Sequence, residues 1–136
     1  MSKLPTDLQV LEKIYGQYGA VFRTSSAASP PRAHRNYIPI DVRELAAGLG
    51  ADQDELFGRL YYHLDHKHQY RRDDGSLVHL FALSVGDDRH CINFPYLSAL
   101  LADYRSEHRK VFWPLAISVA SSLIAVAALF FNLGGQ

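Results

Sequence analysis

The chain has 136 residues, its 14 Lys and Arg balanced by 14 Asp and Glu, and a single cysteine, Cys91. A neutral chain lacks the basic excess typical of proteins that live on nucleic-acid phosphates. One cysteine excludes an intramolecular disulfide, which fits a reducing compartment.

Every charged side chain lies before residue 111, so a polar part long enough for one small domain precedes an uncharged C-terminal run. The opening MSKLPTDLQVLEKIYG has no apolar core and no small-residue cleavage site, so no secretory signal is expected there. Thr6 and Gln9 have capping-box spacing. Leu8, Leu11, Ile14, Tyr15, Tyr18 and Phe22 then recur at helical spacing, predicting a first helix over 7–22. The stretch TSSAASPPRAHR is too polar and Pro-rich to bury itself, so 24–36 is expected to be a flexible loop. Tyr37 to Ile40 is a short apolar piece, and Pro39 restricts it to a sheet edge if it is a strand.

Asp41 with Glu44 makes a second capping box, opening a helix through Val42, Leu45, Ala46 and Leu49 that Gly48 and Gly50 end. Asp52 with Glu55 opens a third, residues 53–66, with Leu56, Phe57, Leu60, Tyr61 and Leu64 on one face. Arg71 to Ser76 carries a turn signal. Leu77 to Val85 is expected as one strand, Gly86 to Asp88 as a tight connection, and Arg89 to Phe94 as the return strand of a hairpin. Pro95 starts an amphipathic linking helix, 95–110, lined by Leu97, Leu100, Leu101 and Tyr104.

Helix, short strand, two capped helices around a Gly-containing turn, then a hairpin: this order resembles the winged-helix superfamily over about residues 7–94. The resemblance implies an α+β fold of three helices and a β-hairpin, with the third helix in the recognition position. It further implies that Arg59, Tyr62, His63 and His66 face a partner or a DNA groove, and that Arg71, Arg72 and Arg89 lie near phosphates. Asp52, Asp54 and Glu55 at the start of that helix, and Asp87 and Asp88 at the hairpin tip, would repel DNA. A protein partner is therefore expected ahead of nucleic acid.

His63, His66 and His68 cluster, but their spacing with His79, His90 and Cys91 matches no zinc motif, and no metal or cofactor is expected. Strand alternation is expected to put His90 and Cys91 on opposite faces, which disfavours a thiol–imidazole pair. With no phosphate-binding Gly loop either, the chain is not expected to be an enzyme.

Val111 to Phe131 is 21 residues without a charge. As a helix it would be about 32 Å long, enough for the roughly 30 Å hydrocarbon core. Phe112 and Trp113 at one end and Phe130 and Phe131 at the other suit the two headgroup regions, and Pro114 is expected in the first turn of the span. Arg105, Arg109 and Lys110 precede the run, and residues 132–136 carry no charge, so the N-terminal domain is expected in the cytoplasm and the short tail outside it. The layout resembles tail-anchored, single-pass membrane proteins. Small residues four apart (Ala116 and Ala120, Ser118 and Ser122, Ser121 and Ala125) suggest a face on which a second copy of the span packs.

Overall fold

The computed structural model describes residues 4–24 and 34–135. Most of the expected flexible loop, and Gln136, lie outside the described residues. The chain forms two compact units, one ending at Leu101 and the other running from Ala102.

The first unit is α+β. Helix α1 (Asp7–Thr24) begins on the expected capping box: Gln9 N–H donates to Thr6 Oγ1 at 3.2 Å, and Thr6 N–H to Gln9 Oε1 at 2.9 Å. Its Val10, Leu11 and Ile14 are fully buried. Strand β1 (Tyr37–Pro39) lies at a sheet edge, where a proline removes no ladder bond that the sheet needs.

Helix α2 (Val42–Leu49) is capped by Asp41, whose Oδ1 accepts from Glu44 N–H at 3.0 Å. The reciprocal half of the box is absent, because Asp41 N–H instead donates to the Tyr18 hydroxyl at 2.8 Å. Gly48 is inside α2. Gly50 alone forms the stop, with φ of 65°, a conformation that an L side chain resists.

Helix α3 (Gln53–Gly58) starts on Asp52, whose Oδ1 accepts from Asp54 and Glu55 N–H. It continues into a π-helical segment, Arg59–Asp65, and ends in a short α4 (His66–His68). Mixing α and π turns gives about four residues per turn, so side chains four apart stack in columns. Leu56, Leu60 and Leu64 form the buried column.

The expected strand over Leu77–Val85 is broken in two. Strand β2 (Tyr70–Arg71) pairs with β3 (Leu77–Val78) across the predicted turn, where Gly75 has φ of 86°. Strand β4 (Phe81–Val85) pairs with β5 (Asp88–Asn93). The break falls at His79 and Leu80, where the Asp65 carboxylate accepts from the backbone N–H groups of Leu80 and Phe81. Val85 pairs with Asp88, so the hairpin loop is Gly86 and Asp87 alone, and Asp88 is the first strand residue. The sheet order is β1-β5-β4, with both pairs antiparallel.

Helix α5 (Phe94–Gly134) replaces the expected linking helix and separate span with one element. Phe94, Leu97 and Leu101 are buried in the first unit, so its packing runs past residue 94, the boundary expected from the hairpin's end. Tyr15 and Phe22 of α1 stack on Phe94, at centroid distances of 5.4 and 4.7 Å.

The second unit is the remainder of α5. This helix is long and apolar enough to cross a membrane, and none of its apolar window is buried. Pro114 lies inside the continuous helix and not in a first turn, so the carbonyl of Lys110 has no donor four residues on.

Candidate interaction surface

The third helix carries most of the residues singled out by sequence, and its columns separate them. Arg59, His63 and Lys67 are four apart and meet one carboxylate, Asp7 at the start of α1. Arg59 donates from Nε at 3.0 Å and Nη2 at 2.7 Å to Asp7 Oδ1. His63 Nε2 lies 3.1 Å, and Lys67 Nζ 3.6 Å, from Oδ2. Burial alone raises the Asp7 carboxyl, but hydrogen bonds and charge from His63 and Arg59 outweigh it and hold the pKa below its ordinary 3.8. The side chain of Arg59 is 32% exposed, against 14% for its partner Asp7. Arg59 and His63 thus tie the third helix to the first, while half of the His63 side chain stays exposed.

Tyr62 and His66 do face outward. Tyr62 is 78% exposed and lies edge-on to Phe57 at 6.1 Å. His66 Nδ1 is 3.5 Å from Gln69 Nε2. His68 is half-buried, and burial, then the charge of Lys67, lowers its pKa.

The column Phe57, Tyr61, Asp65 faces the hairpin. Asp65 is the one buried charged residue among those described. Its Oδ1 accepts from Leu80 N–H at 2.8 Å and Phe81 N–H at 3.1 Å, and its Oδ2 lies 2.9 Å from His79 Nδ1. Four residues earlier, the Tyr61 hydroxyl is 3.0 Å from His90 Nδ1. Burial first, then the nearby Cys91 and Asp65, push the Tyr61 phenol up to about 12.

His90 has φ of 56°, the left-handed region. That turn of the backbone breaks the alternation expected of β5: Cys91 and Ile92 are both fully buried in succession, and both His90 and Cys91 lie near Tyr61.

Sequence reading passed over Asp7, Asp65 and the Tyr61–His90 contact. The signal for Asp65 was its place four and eight residues after Tyr61 and Phe57, a carboxylate continuing a largely apolar column. Nothing local pointed to Asp7, since its partners are more than 50 residues away in the chain.

The arginines expected near phosphates each sit beside acidic residues in the chain. Arg71 and Arg72 share their turn with Asp73 and Asp74, and Arg71 Nη1 is spent on the Gly75 carbonyl at 2.8 Å. Arg89 follows Asp87 and Asp88 at the exposed hairpin tip. Among the described residues no three His, Cys, Asp or Glu side chains converge as a bound metal would require.

What remains open is a shallow cleft between the π-helical segment and β4, lined by Tyr61, Asp65, His79, Phe81, Ala82, Leu83 and Ser84. Strand β4 is an edge of its sheet, and Leu83 on it is 57% exposed. An edge strand presents backbone donors and acceptors to a newcomer. In the second unit Arg105, Arg109, Lys110, Phe112, Trp113, Phe130 and Phe131 are all exposed on α5.

No protein family, curated protein or solved structure matches this chain.

Proposed function

We propose that the protein is a membrane-anchored, winged-helix-like adaptor that meets a protein partner at the cytoplasmic face. The element order and the β1-β5-β4 sheet, with β1 joining the hairpin at its edge, support the winged-helix reading. The apolar run of α5 supports the anchor. Its flanks, cationic at Arg105, Arg109 and Lys110 and uncharged after Phe131, support an N-terminal domain in the cytoplasm. Confinement to the membrane raises the domain's effective concentration near other membrane components.

The observation that carries the protein-partner reading is the engagement of Arg59, His63 and Lys67 by Asp7. A helix reading DNA needs its cations for bases and phosphates. Here one carboxylate of α1 meets Arg59, Lys67 and the His63 imidazole, and the helix turns Tyr62 and His66 outward, with Leu83 exposed on the hairpin. Aromatic and apolar side chains of this kind anchor protein interfaces.

A photo-crosslinker placed at Tyr62 or Leu83 of the full chain in its membrane should yield one discrete adduct that is absent when it is placed at Asp73. Equal labelling from all three positions would count against a defined surface. The rival reading, a membrane-tethered DNA-binding regulator, requires the full chain in nanodiscs to bind duplex DNA with a steep salt dependence. Binding of that kind, weakened by Tyr62→Ala, would replace the adaptor. A reporter fused after Gln136 should be active only outside the cytoplasm, and cytoplasmic activity would reverse the topology.

A further inference from the structure

The segment of α5 just before the apolar run is charged on both sides, but not at random. At about 100° per residue, Arg105, Arg109, Phe112 and Trp113 fall within about 100° of arc. Asp103 and Glu107 lie together on the roughly opposite side, and Lys110 falls with them. All of these side chains are exposed. Among the described residues Arg109 makes no ion pair, so its guanidinium is available to a ligand.

We infer that Arg105 and Arg109, with Trp113 below them, form a docking stripe for the phosphate of an anionic glycerophospholipid headgroup. The inference rests on the reading of α5 as a membrane anchor, and it adds a lipid class. Two guanidiniums one helical turn apart match a phosphodiester in charge and in their planar forks of donors. Trp113 lies one turn further along, just inside the apolar run, the level at which an indole meets the headgroup region. Charge complementarity and continuity with the apolar helix identify the occupant as a lipid: the stripe leads directly into the segment that acyl chains would surround. The acids on the far side keep the local net charge low, so attraction is directed to one face and not spread around the helix.

Trp113 is the only tryptophan in the chain, so its fluorescence reports this site alone. The full chain is reconstituted in two vesicle preparations of identical headgroup composition, phosphatidylcholine with a minority of phosphatidylglycerol. Bromine is carried on the acyl chains of the phosphatidylglycerol in one, and on an equal amount of phosphatidylcholine in the other. Brominated phosphatidylglycerol should quench Trp113 more strongly, by an enrichment of about several-fold at the helix. Arg105→Gln with Arg109→Gln should abolish the difference, while Glu107→Gln should leave it nearly unchanged.

Equal quenching by the two lipids would overturn the stripe. So would a gain in Glu107→Gln as large as the loss in the arginine variant, because net charge and not a face would then be responsible. Quenching by neither lipid would mean that α5 does not insert, which overturns the anchor and the stripe with it.

Discussion

Replacing Asp65 tests how the third helix holds the hairpin. Its Oδ1 accepts two buried backbone N–H groups, those of Leu80 and Phe81, at 2.8 and 3.1 Å. Asp65→Ala leaves both without a partner, at ~1–3 kcal/mol each, partly offset because a carboxylate is no longer buried. A net loss of ~3 kcal/mol is expected, a large part of the 5–15 kcal/mol that is typical of a domain. For a domain of about 100 residues, that lowers the melting temperature by roughly 12–24 °C. Asp65→Asn keeps an oxygen where Oδ1 accepts both N–H groups and loses only the charge toward His79, so it should cost ~1 kcal/mol. Thermal melts of the detergent-solubilised full chain followed by circular dichroism give the two values. Amide exchange should accelerate at Leu80 and Phe81 more than at Ile92, which stays in the β4–β5 ladder. An alanine variant that melts within about 2 °C of the parent, or an asparagine variant as damaged as the alanine one, would refute this role of Asp65.

Asp7 titrates below its ordinary 3.8 in the folded chain, so its contribution is present above that value and is lost as pH falls through the folded one. Acid unfolding monitored below about pH 4 should therefore shift in Asp7→Asn, and an unchanged acid limb would refute the Asp7 cluster as a stabilising contact. Tyr61 titrates at about 12, above the ordinary 10.0, so its contribution is complete below 10.0 and is lost as pH rises through about 12. Tyr18 and Tyr96 are also raised, so ultraviolet titration should show a late-ionising group of tyrosines whose amplitude at the highest pH falls in Tyr61→Phe; no change in that variant would mean that Tyr61 ionises with the unshifted tyrosines. His90→Ile puts a β-branched residue at φ of 56° and removes the Tyr61 contact, for an expected loss of about 2 kcal/mol in the same melts. His90→Asn, which tolerates that backbone, should lose less, and equal losses would separate the effect from backbone conformation.

The chain's own pattern determined a good deal. The capping residues Thr6, Asp41 and Asp52 start their helices where local chemistry places them, because a cap is a contact between residues two or three apart. Gly50 and Gly86 take the left-handed turns that only glycine adopts cheaply, and Pro39 marks an edge strand. The apolar run after Lys110 needs no tertiary context to be seen, since its length and lack of charge are properties of one segment. Tertiary structure decided the rest. Local spacing predicts an ordinary third helix that presents Arg59 and His63 outward, but Asp7, 52 residues before Arg59, engages both, with half of the His63 side chain still exposed. It predicts one strand over Leu77–Val85, but Asp65, 15 residues before Leu80, accepts from the N–H groups of Leu80 and Phe81 where that strand breaks. Alternation predicts His90 and Cys91 on opposite faces, but packing on Tyr61 accompanies a left-handed residue within β5. Each reversal involves a polar side chain whose partner is supplied by the fold and not by the neighbouring sequence.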